Sequence, residues 1–151
     1  MPYAVNGPDE LADFARSQTP VSDWLLMTQD RVTAFAECTG DSQWIHVDET
    51  RARRGPYGGT IAHGFLTLAL ITSFWESTVV TKGFLRTVNY GVNRVRFPAP
   101  LPVGRRIRAH FAPLELVEVP DGLQMAMQVT IECEGSPKPV CVAETLVRYY
   151  P

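Results

Sequence analysis

Apolar residues follow two spacings along this chain, helical through the first half and alternating through the second. Leu11, Phe14 and Ala15 stand at i, i+3 and i+4 behind Pro8, Asp9 and Glu10. Acids placed where a helix carries its positive end predict a short amphipathic helix there. Pro20 introduces the segment 21–27, whose Val21, Trp24, Leu25 and Met27 read as an imperfectly alternating strand. Thr28 is placed to cap a helix from Gln29 to Cys38, with Val32, Phe35 and Ala36 on one face and Gly40 where a left-handed terminator belongs. Asp48 is placed to cap another, Glu49 to Arg54, closed by Gly55 and Pro56. After Gly58 and Gly59, Thr60 is expected to start a long helix to about Ser77. Its Ile61, Phe65, Leu66, Leu70, Ile71, Phe74 and Trp75 point in every direction, which places that helix in the middle of something.

The second half changes period. Val88, Tyr90 and Val92 alternate, and Val95 and Phe97 then alternate in the opposite parity, so one long strand is expected to bulge between Gly91 and Arg94. Ile107, Ala109 and Phe111 begin another strand, and Pro120-Asp121-Gly122 marks a tight turn. From Leu123 to Cys133 apolar and polar residues alternate cleanly, and a last strand runs from Val140 to Tyr149. Strands joined by short turns imply an antiparallel sheet, and one apolar helix before them implies a sheet curled around it. The pattern predicts a single α+β domain over residues 1–151. Such a sheet leaves an edge strand free, so pairing with a second copy is expected.

Composition narrows the partners. A chain of 151 residues with 45% apolar and 20% charged residues is an ordinary globular protein, and its net charge of −2 gives no nucleic-acid footprint. The apolar run near Ile61 to Leu70 is too short to span a bilayer, so no membrane segment is expected. The three cysteines, Cys38, Cys133 and Cys141, lack metal-ligand spacing and no secretory signal precedes them, which points to a reduced, cytoplasmic setting.

Candidate chemistry gathers between Cys38 and Leu70. Asp41 and His46 form a candidate acid/base pair, because a carboxylate and an imidazole within reach can share proton donation and abstraction at neutral pH. Five residues apart, they can meet only across a bend. The alternative is that Asp41 caps a turn and His46 is a satisfied half-buried side chain. His63 and Gly64 fall in the first turn of the long helix, where free amides can hold a carbonyl oxygen and a glycine permits close approach. The bland alternative for Gly64 is tight packing alone. With no serine or cysteine beside the pair, proton transfer is favoured over covalent catalysis. His46 and His63 lack the spacing of a metal site, and glycines 58, 59 and 64 lack that of a dinucleotide loop, so neither metal nor nucleotide cofactor is expected. Arg51, Arg53 and Arg54, and a second group near Arg105, are either solvated faces or phosphate contacts.

The segments Cys38-Thr39-Gly40-Asp41-Ser42-Gln43-Trp44-Ile45-His46 and Ile61-Ala62-His63-Gly64-Phe65 resemble the motif of MaoC-like, (R)-specific enoyl-CoA hydratases. The stretch from Tyr90 to Gly104 is similar to a single-domain branch of that family related to nodulation protein N. The resemblance implies a hotdog fold, a long helix wrapped by a curved antiparallel sheet, paired as a homodimer. It implies reversible syn hydration of a trans-2-enoyl thioester, with an acyl-CoA substrate and no separate cofactor. Asp41 and His46 would be catalytic, and Gly64, His63, Gln43 and Asn93 would meet the substrate. Gln43 and Trp44 stand where many members carry Asn and Pro, and Trp44 is expected to narrow the pocket. A hotdog acyl-CoA thioesterase and a non-catalytic acyl-thioester binding module are the alternatives.

Overall fold

In chain order the computed structural model, which describes residues 1–151, runs β1 (Tyr3–Asn6), α1 (Gly7–Ser17), β2 (Leu25–Leu26), α2 (Gln29–Thr39), α3 (Trp44–Val47) and α4 (Glu49–Arg53). It continues through α5 (Gly64–Thr78), β3 (Val79–Lys82), β4 (Arg86–Arg96), β5 (Arg106–Val119), β6 (Gly122–Cys133) and β7 (Cys141–Tyr150). Five strands form one antiparallel sheet in the order β2-β5-β6-β7-β4. Alternation decides its faces: Ile107, Ala109 and Phe111 of β5 and Val129, Ile131 and Cys133 of β6 turn inward and are buried.

The sheet curls around α5, the hotdog arrangement. Leu66, Leu70, Ile71, Phe74 and Trp75 are buried, and Trp75 meets Phe111 edge-on at 5.2 Å and Phe14 of α1 at 5.7 Å. In β4 the register shifts between Asn89 and Gly91 and again between Val92 and Val95, where the change of parity requires it. Thr28 caps α2 by accepting from the Arg31 amide, Gly40 ends it at φ 80°, and Asp48 caps α4.

Three expectations need correction. The long helix starts at Gly64 with His63 as N-cap, three residues after the expected cap at Thr60. Segment 60–62 is extended because tertiary partners claim it: the Ile61 amide donates to the Ile45 carbonyl, Ala62 to Leu101, and Val103 to the Thr60 carbonyl. The helix is also not enclosed all round, for Phe65 is 70% exposed. In segment 21–27 only Leu25 and Leu26 join the sheet, with an isolated bridge from Val21 to His110. Three elements had no forecast: the single turn α3, and the strands β1 and β3, which pair in parallel, Tyr3 opposite Val79, at the far end of α5. No helix is long and apolar enough to cross a membrane.

Candidate active site

The bend that joins α2 to α3 sets the first half of the site. Gly40 reverses the chain, and Asp41 Oδ1 accepts from the Gln43 amide at 3.5 Å, a local bond that holds the turn. One turn of helix, α3, then carries His46 back toward Asp41. Asp41 is exposed and His46 is buried, and a donor atom of each lies within 4.8 Å of the other, a separation that one water bridges.

The hydrogen bonds fix the protonation geometry of both histidines. His46 Nδ1 lies 2.7 Å from the Ile61 carbonyl oxygen, which only accepts, so Nδ1 carries a proton and the lone pair of the neutral ring is at Nε2. His63 Nε2 likewise donates to the Asp41 backbone carbonyl at 2.9 Å. The His63 ring stacks on His46 with centroids 3.8 Å apart and meets Phe35 at a tilt with centroids 4.9 Å apart, and its Nδ1 is buried without a partner. His63 therefore ties the bend to the start of α5 and backs the His46 ring.

The second half is the N-terminus of α5. Gly64 is its first residue, and no side chain caps the free amides of that turn. Gly64 and His46 line one cavity of about 280 Å³, closed by Tyr57, Thr67 and the segment Phe97 to Leu101. A Cβ on Gly64 would stand 2.8 Å from the Phe97 ring. The packing reading of Gly64 thus holds, and the residue also lines the cavity at the uncapped first turn of α5.

The remaining sequence candidates lie elsewhere. Gln43 is exposed at the N-cap of α3 and its side-chain amide is free. Asn93 is exposed and donates to Glu144 Oε1 at 2.8 Å, on the face of β7 turned from the core, and does not line the cavity. The double shift of register in β4 is what turns it there. Trp44 does not narrow the cavity: it packs on Gly55 and lies under the Arg51 guanidinium at 4.3 Å.

Asp41, His46 and His63 together offer three donor atoms within 4.8 Å of one another, a grouping that the sequence spacing did not suggest. Each of the two rings already gives one nitrogen to a backbone carbonyl, which leaves one ring nitrogen apiece beside the exposed Asp41 carboxylate. Sequence reasoning missed Gln29. Its Nε2 donates to the His46 carbonyl at 2.8 Å and its Oε1 accepts from the Thr60 hydroxyl at 2.6 Å, clamping both halves of the site. Nothing local signals this, since the partners lie 17 and 31 residues away.

Comparison with known proteins agrees with this architecture. The family described as the MaoC-like domain matches residues 13–133. The 3-hydroxyacyl-thioester dehydratase Z of Mycobacterium tuberculosis is 49% identical over 141 residues, 93% of either chain. Nodulation protein N of Rhizobium leguminosarum bv. viciae is 36% identical over 135 residues, 86% of this chain and 84% of that one. Among solved structures, an (R)-hydratase from A. caviae involved in PHA biosynthesis shares the fold, with a TM-score of 0.74 over 89% of this chain and 95% of that one at 22% identity. With four-fifths of its length inside the family's domain and a near full-length relative at such identity, this chain belongs to the MaoC-like domain family.

Proposed function

We propose that this protein is an (R)-specific enoyl-CoA hydratase, a hydro-lyase that adds water reversibly across the double bond of a trans-2-enoyl thioester. The observation that carries the reading is the fixed tautomer of His46: with Nδ1 donating to Ile61, its bare Nε2 belongs to a residue lining the same cavity as the uncapped N-terminus of α5. Family membership supports it, as does the name of the M. tuberculosis relative.

In the proposed step Asp41 holds a water and His46 Nε2 takes its proton as the oxygen bonds to the β-carbon. The π electrons move to the thioester oxygen, where the Gly64 amide and the positive end of α5 stabilise the enolate. The imidazolium, steadied by Asp41, then returns the proton to the α-carbon on the same face. The result is syn addition and a neutral His46. Proton transfer suffices, so CoA enters only as part of the substrate. Thr67, the one threonine lining the cavity, donates its hydroxyl to the His63 carbonyl, so no activated serine-type nucleophile faces the thioester there.

Two finer assignments accompany this. The outer edge of β4 is unpaired over 11 residues and exposes Val88, Tyr90 and Val92, which supports a homodimer joined edge to edge by β4. Three free cysteines, two of them buried, suit a cytoplasmic location. The direct test follows the loss of enoyl absorbance in trans-2-enoyl-CoA. Asp41→Asn and His46→Ala are expected to fall roughly 10²- to 10⁴-fold in kcat with unchanged folding by circular dichroism. Normal turnover by both variants, or release of free thiol by the parent protein, would overturn the proposal.

A further inference from the structure

Three acceptors gather where the bend after α2 meets the start of α5, with no donor among them. His46 gives its Nδ1 proton to the Ile61 carbonyl and His63 its Nε2 proton to the Asp41 carbonyl, so each neutral ring keeps one lone pair. The third acceptor is the exposed Asp41 carboxylate, and one atom from each of the three residues lies within 4.8 Å of the other two. His46 and His63 are only 6% and 2% exposed, and His63 Nδ1 has no hydrogen-bond partner anywhere in the chain. A buried polar atom left in that state needs an explanation.

Water accounts for two of the three. A single water has two protons to give, so one held between Asp41 and His46 leaves His63 Nδ1 unanswered. A divalent cation answers all three at once. Both rings are also held as metal ligands are held, each passing the proton of its other nitrogen to a backbone carbonyl, which fixes the tautomer and makes the free nitrogen more basic. The spacing is close to what an ion requires, since bonds of about 2.1 Å set tetrahedral ligand atoms about 3.4 Å apart. The ring centroids already stand 3.8 Å apart, and their inclination of 23° must open further at one edge to admit an ion. The Asp41 side chain, restrained only by a 3.5 Å contact with the Gln43 amide, is free to swing in.

We propose that Asp41, His46 and His63 form a binding site for a borderline divalent cation of the zinc type, and that this ion is a reversible inhibitor and not a cofactor. Two imidazoles select zinc over magnesium or calcium, which prefer oxygen ligands. The positive end of α5 beside the site opposes any cation, so the nitrogen donors rather than charge decide which ion enters. Binding rests on the arrangement of the three side chains alone. Inhibition rests on the hydratase reading, because the ion takes the His46 lone pair that would accept the proton of water and displaces that water.

The test titrates zinc chloride into the metal-free full chain by calorimetry, with cobalt(II) as a coloured probe of coordination. One ion per chain is expected, with the visible bands of a four-coordinate cobalt site and no response to magnesium. His63→Ala and Asp41→Asn are each expected to weaken zinc binding roughly tenfold or more, and Cys38→Ser, which removes the exposed thiol, to leave it unchanged. Asp41→Asn keeps both rings, so it decides the matter if His63→Ala fails to fold. No binding at millimolar zinc, binding that survives in both site variants, or binding lost with Cys38→Ser overturns the site. Hydration of a trans-2-enoyl-CoA by the parent protein is followed with and without zinc, and a rate unchanged at saturating zinc overturns the inhibition. A chain that binds the ion through these residues yet never hydrates the substrate defeats the hydratase reading and leaves the metal site standing.

Discussion

Gly64 and Phe97 depend on each other. Any Cβ at position 64 would stand 2.8 Å from the Phe97 ring, so Gly64→Ala must push that ring into the cavity or displace the start of α5. Overpacking of this kind costs about 1–3 kcal/mol in stability, and a displaced amide no longer meets a developing enolate. Gly64→Ala is expected to lower both Tm and kcat, and the added change Phe97→Leu to recover most of the Tm. Measuring both quantities on single and double variants separates packing from amide geometry. Single residues were the most legible part of the sequence where their partners are local. Thr28, Gly40 and Asp48 announce their caps because each acts on the turn beside it. Thr60 was misread for the opposite reason, since its hydroxyl serves Gln29 across 31 residues.

At the scale of elements, α2 is the support of the site. Its first residue holds the α3 carbonyl of His46 and the extended strand before α5 at once. Gln29→Ala should leave the fold standing and let His46 drift, with kcat reduced roughly tenfold to hundredfold. Unchanged kcat would show that Ile61 alone suffices to hold the ring. On the outer face of the sheet, Glu132 of β6 receives hydrogen bonds from His110 and Arg108 of β5. Partial desolvation pushes its carboxyl up, but those bonds outweigh it and hold the pKa below the usual value of 4.5. A carboxylate whose pKa is lowered by folding adds stability above its unfolded value and loses it as pH falls through the folded one. The Tm is expected to drop on acidification below about pH 4.5, and to drop less steeply in Glu132→Gln. The strands themselves were legible from alternation. The parallel pair β1 and β3 was not, because four-residue strands carry too little pattern and their partners stand far apart in the sequence, Tyr3 opposite Val79.

For the whole molecule, the α+β architecture followed from one change of hydrophobic period, and the open face of α5 did not. Sequence cannot tell a helix enclosed by its own sheet from one left partly bare, as Phe65 is. The proposed dimer predicts a particle of twice 16.8 kDa by light scattering, and Gly91→Pro, which places a ring in β4, is expected to yield monomer. A mass of one chain for the parent protein would refute the edge-to-edge assignment. The edge strand also has a consequence for rates. β4 is held by β7 alone, and its chain runs directly into Phe97 and Pro98 at the wall of the cavity. Dissociation would therefore loosen the wall as well as the edge, so specific activity is expected to decline on dilution and to return with a concentration-dependent lag as subunits meet again.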